Sequence, residues 1–106
     1  MANVLVAFCT FPSAEVATKV TNQLVECRIA ACGNILPGVR SIYQWQGKVV
    51  SGDEVLGIFK LNADRYSEFE SKVRSMHPYE VPEIIAFPVA NGLPAYLDWV
   101  SESCAK

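Results

Sequence analysis

Histidine is almost missing from this 106-residue chain, which has one, His77. Metal, acid–base and nucleophilic chemistry all draw on imidazole, so such a site must pass through His77 or do without it. The four cysteines, Cys9, Cys27, Cys32 and Cys104, show no Cys-x-x-Cys spacing, which excludes a zinc finger or an iron–sulfur cluster. No apolar run approaches the ~18 residues of a membrane span, so a membrane is not an expected partner. The start, Met1-Ala2-Asn3-Val4-Leu5-Val6, lacks the basic region and long apolar stretch of a secretory signal. Charge is not blocked: nine basic and eleven acidic residues are spread along the chain, for a net −2. That is no footprint for a phosphate backbone, and nucleic acid is not expected either. The loop Cys9-Thr10-Phe11-Pro12-Ser13-Ala14 has neither the glycines nor the arginine of a phosphate-cradling catalyst.

What is present is apolar material, 51% of the residues, enough for a core without disulfides. The length fits one domain, residues 1–106. With no signal segment the thiols are expected to be reduced and mostly buried, in a soluble, cytoplasmic protein. Residues 3–9 form a β-rich apolar run, and Ser13 is the natural N-cap of a helix with Val16, Ala17, Val20, Leu24 and Val25 along one stripe. Residues 34–45 form a second strand, broken at Pro37-Gly38 where a bulge or bend fits. Gln46-Gly47-Lys48 is a hairpin turn, and a third strand reaches Leu61 with Val55, Phe59 and Leu61 on one face. Asp64 is the expected N-cap of a second helix bearing Tyr66, Phe69, Val73 and Met76, which Pro78 and Pro82 stop. A fourth strand over residues 83–89 and a closing helix from Pro94 through Leu97 and Val100 complete the order. This is an α+β, ferredoxin-like βαββαβ pattern with an extra C-terminal helix.

The central hairpin is too long for such a domain. A strand of about 14 residues reaches about 46 Å, whereas a compact chain of this length is about 33 Å across. The tip, residues 43–50, should overhang as a protruding hairpin carrying Tyr43, Trp45, Val49 and Val50, apolar groups unsuited to water. Either the hairpin folds back on its own sheet, or it packs on another copy in a closed ring.

Cys9 and His77 are the candidate ligands for a soft or borderline ion such as Cu(I) or Zn(II), with Met76, Glu80, Glu83, water or a neighbouring copy to close the shell. Their loops need not meet within one subunit. The competing readings are a small core residue for Cys9 and a turn residue bonding backbone groups for His77. Glu80 and Glu83, flanking Pro82, would serve as an acid–base pair only if burial raised one of them, and otherwise are solvated. Tyr43 and Trp45 read as interface anchors. In a second reading Trp45, Tyr79 and Glu83 line a cleft for a small ligand or a protein partner.

Four stretches together resemble the CutA divalent-cation-tolerance family. They are Phe8-Cys9-Thr10, the run from Arg28 to Gly38, the run from Ser41 to Lys48, and Met76-His77-Pro78-Tyr79-Glu80-Val81-Pro82-Glu83-Ile84. The resemblance covers nearly the whole chain. It implies a ferredoxin-like subunit in a tight homotrimer, related in architecture to the PII signalling proteins, and a non-enzymatic role in tolerance to divalent metals. It also implies weak binding of copper or another divalent ion at positions matching Cys9, Met76 and His77. Here the chain departs from the pattern, since the copper-binding members carry adjacent histidines and this chain has methionine first. The PII likeness carries the alternative, a signalling or scaffold trimer with ligand clefts between subunits.

Overall fold

The computed structural model describes residues 3–105. Strands and helices follow in the order β1 (Val4–Phe11), α1 (Ala14–Glu26), β2 (Cys32–Trp45), β3 (Lys48–Asn62), α2 (Tyr66–Met76), β4 (Ile84–Pro88) and α3 (Pro94–Ser103). The sheet runs β2-β3-β1-β4 with every neighbouring pair antiparallel. The α+β, ferredoxin-like pattern expected from the sequence is the observed one.

Period-two alternation decides which side of the sheet is covered. Ala7, Cys9 and Phe11 on β1 face Phe59 and Leu61 on β3 and are fully buried with Leu24, Phe69 and Val73 of the helices. The opposite face presents Val6, Phe8, Leu56, Ile58, Ile85 and Phe87, with Phe8 and Phe87 edge to face at 5.3 Å. Ile85 and Phe87 are about half exposed there. Gly57 makes the covered side possible. A Cβ on it would lie 2.7 Å from the Phe59 ring and 2.9 Å from that of Phe11.

Ser13 caps α1 as expected, its hydroxyl accepting from the Val16 N–H at 3.2 Å. Ala17, Val20 and Leu24 are buried, but Val25, placed on the same stripe by spacing, is exposed. Arg28 then takes a left-handed conformation (φ 60°) and its guanidinium bonds the carbonyls of Glu102 and Ser103 at the end of α3. A cation at that helix C-terminus meets the negative end of the dipole. Asp64 is not a helix N-cap. It lies inside a 3-10 turn, Ala63–Arg65, that precedes α2, and no side chain caps either element. The four thiols are free, as expected, but two rather than most are buried: Cys9 and Cys104.

The hairpin does not fold back. Pairing of β3 with β1 stops at Val55–Phe11, yet β2 and β3 stay paired from Val39–Glu54 to Trp45–Lys48. This two-stranded arm stretches the molecule to 45 × 26 × 22 Å. A register shift between Leu36 and Val39 marks its root, where Gly38 (φ 79°) takes a conformation closed to most side chains. At its tip Gln46 and Gly47 both have positive φ, the two-residue turn whose twist matches the strands.

Candidate functional site

Helix α2 ends where Pro78 forbids continuation, and His77, its C-cap, turns back over the end of β1. The imidazole stacks on Phe11 at 5.1 Å and 20°, and Nε2 lies 2.8 Å from the Thr10 carbonyl. Nδ1 accepts the Tyr79 N–H at 3.1 Å. With one ring nitrogen accepting, the bonding pattern puts the proton on the other, so Nε2–H donates to Thr10. His77 thereby joins the loop of residues 77–83 to β1 within a single chain.

Cys9 sits two residues short of the strand end, because β1 continues to Phe11, and it is wholly buried. Its thiol points to the same Thr10 carbonyl at 3.6 Å. Burial first, and then the nearby charges of Glu83 and Glu54, push its pKa up to about 12. A soft ion needs a thiolate and a free imidazole nitrogen. Here the thiol holds its proton, both ring nitrogens are engaged, and Met76 packs against the core. No three His, Cys, Asp or Glu groups among the described residues are placed to hold a metal ion. Cys9, Met76 and His77 do not fit a copper centre in this arrangement.

The other candidates converge. A cleft of about 640 Å³ opens between the arm and the 77–83 loop, with Thr10 of β1 among its lining residues. Trp45 and Tyr43 reach it from the arm, and Tyr79, Glu80 and Glu83 from the loop. The Tyr79 ring rests on His77 at 4.7 Å, and its hydroxyl donates to Glu54 Oε2 at 3.2 Å. Burial and the Glu54 carboxylate raise the pKa of that hydroxyl. Glu80 and Glu83 face this shared space beside the rings of Trp45 and Tyr79, an arrangement suited to binding.

Thr10, Ser41, Ile42 and Val81 also line the cleft, and Glu54 is the charged lining residue that the sequence does not single out. Its one legible signal is phase: it precedes the inward-facing Val55, so it must face the other side. That Tyr79 arrives opposite it depends on a contact 25 residues away.

The CutA1 divalent ion tolerance family matches residues 5–103. The divalent-cation tolerance protein CutA of Thermus thermophilus is 47% identical over 98 residues, covering 92% of this chain and 95% of that protein. Its solved structure superposes with a TM-score of 0.94 over 96% of this chain and 99% of that one. Mouse protein CutA is 44% identical over 94% of this chain, which spans only 56% of the mouse protein. An Archaeoglobus fulgidus structure, 35% identical with a TM-score of 0.91 over 99% of this chain and all of that one, is described as a periplasmic divalent cation tolerance protein. Among the described residues no helix is long and apolar enough to cross a membrane. Sequence likeness over almost the full length, together with a shared backbone, places this chain in the CutA1 divalent ion tolerance family.

Proposed function

We propose that the protein serves tolerance to divalent ions, the role for which its Thermus and Archaeoglobus relatives are named, as a cytoplasmic, non-enzymatic homotrimer whose cleft receives a small ligand in the manner of a PII-like sensor. The observation that carries this reading is that Trp45, Tyr79, Glu80 and Glu83 line one cleft between an unpartnered arm and the 77–83 loop. Self-association is supported by two apolar surfaces. Ile42, Trp45 and Val49 are 70, 59 and 68% exposed on the arm, and the bare sheet face carries Ile85 and Phe87. Side chains of this kind exposed on a ribbon and an open sheet favour burial against further copies. Static light scattering checks the assembly, and a monomer in dilute neutral buffer ends it. A thermal-shift screen of metabolites checks the cleft, and no stabilisation by any compound counts against a ligand.

A second reading, weak copper binding through Cys9 and His77, is favoured by their convergence on the Thr10 carbonyl. It requires His77 to release Tyr79 or Thr10 and Cys9 to lose its proton. Titrating Cu(I) into wild type and a Cys9→Ala/His77→Ala variant tests it, and equal affinity ends it.

A further inference from the structure

The chemistry of the cleft selects among ligands, an inference that rests on the cleft being a ligand site as proposed above. Glu54, Glu80 and Glu83 line it, and no lysine or arginine does among the described residues. Of the two cations of the arm, Arg40 is paired with Asp53 at 3.7 Å, and Lys48 stands opposite Trp45 at the tip without lining the cleft. A phosphorylated ligand such as a nucleotide would therefore meet three carboxylates and no cation among the lining residues, while Arg74 lies in the adjoining hollow that Tyr79 and Glu80 also line. A bare metal ion suits the sign of the field but not the geometry. The carboxylates do not converge into a coordination shell, and Glu54 already accepts the Tyr79 hydroxyl. The remaining walls combine the rings of Tyr43, Trp45 and Tyr79 with the aliphatic Ile42 and Val81 and the hydroxyls of Thr10 and Ser41. Aromatic faces carry a negative quadrupole and attract cations that can shed their water, which alkylated ammonium groups do far more readily than metal ions.

We propose that the cleft binds a small organic cation, an alkylated ammonium whose charge faces the three carboxylates while its apolar body lies against the aromatic walls. The size is appropriate: about 640 Å³ lies within the range of small-molecule sites and exceeds what a hydrated ion needs. The field that selects the cation also registers inside the protein, where Glu83 and Glu54 add to burial in keeping the Cys9 thiol protonated.

The test uses the 106-residue chain carrying Trp99→Phe, so that Trp45 is its only indole and reports on the cleft. Choline is titrated against its uncharged isostere 3,3-dimethylbutan-1-ol, with magnesium chloride and metal-free ATP as further probes. The expected result is saturable change in Trp45 emission with choline, at least about tenfold tighter than with the neutral alcohol. A Glu54→Gln/Glu83→Gln variant of unchanged native mass and circular dichroism should lose about tenfold in choline affinity and much of its salt dependence. Equal affinity for choline and the alcohol, or choline binding untouched in the glutamine variant, overturns the cation assignment. Saturation by ATP or magnesium in place of choline also overturns it while leaving the cleft a ligand site. Silence from every probe at about 10 mM, by emission and by calorimetry, brings down both the assignment and the ligand-binding cleft.

Discussion

The body of the molecule and its arm are built from the same two strands, yet only one of them is a closed structure. From Val55 onward β3 lies between β2 and β1 under a helical layer, and Phe59 and Leu61 are completely removed from water. Before Glu54 the same strand has a single neighbour and no cover, so its apolar side chains stand in solvent. A two-stranded ribbon in water is marginal by itself. The difference shows that hydrophobicity alone does not make a core; a second layer must arrive to close it. The arm has the residues of a core and lacks the layer.

Perturbing each region separately breaks or sharpens this contrast. The largest effect is expected in the body. Phe59→Ala removes a ring packed against Phe11 and Phe69 and should cost about 3–5 kcal/mol by denaturant unfolding. A loss below about 1 kcal/mol would mean that the body is not the rigid half. Next, the raised pKa of Cys9 fixes a sign. The unfolded thiol ionises near 9.0, but the folded one holds its proton to about 12. The folded state therefore binds protons more tightly, the stabilisation is complete below pH 9, and it is lost as pH climbs toward 12. The decline attributable to Cys9 should approach 1 kcal/mol per pH unit, and Cys9→Ala should flatten it, measured by urea unfolding from pH 8 to 11. Cys104 and Tyr96, raised in the same direction, leave part of the slope in the variant.

In the arm, Trp45→Ser with Val49→Ser should leave the secondary structure of the body unchanged in circular dichroism. It should remove the dependence of the unfolding midpoint on protein concentration, because that dependence measures association. A midpoint that still shifts with concentration would point to the bare sheet face as sufficient for assembly. The smallest effect belongs to the arm's ion pair. Arg40 and Asp53 are 68 and 87% exposed, so Arg40→Ala should change stability by less than about 0.5 kcal/mol. A larger loss would show that the pair is buried in the assembled protein.

Legibility from sequence divides along the same line as stability. The alternation of Val55, Phe59 and Leu61, the Ser13 cap and the proline stops named the elements of the body correctly, since each is a local signal with a local cause. Asp64 misled because a good capping residue was overruled by a 3-10 turn that the backbone makes first. Val25 misled because a helical stripe is wider than the surface it covers. At the site, Trp45, Tyr79, Glu80 and Glu83 were nameable as candidates. The bonding that takes both nitrogens of His77 out of ligand duty was not, since it needs Thr10 and Tyr79 brought to one ring.

What the chain settled unaided is the sequence of elements, the covered face of each strand and a hairpin whose strands outreach the domain that holds them, because periodicity and reach are properties of neighbours along the backbone. What folding alone decided is that Cys9 is a protonated core thiol, that His77 is a clasp between α2 and β1, and that Glu54 completes an acidic, aromatic cleft. Those outcomes depend on burial and on charges far apart in sequence, and desolvation and Coulomb energy exist only once the distant parts have met.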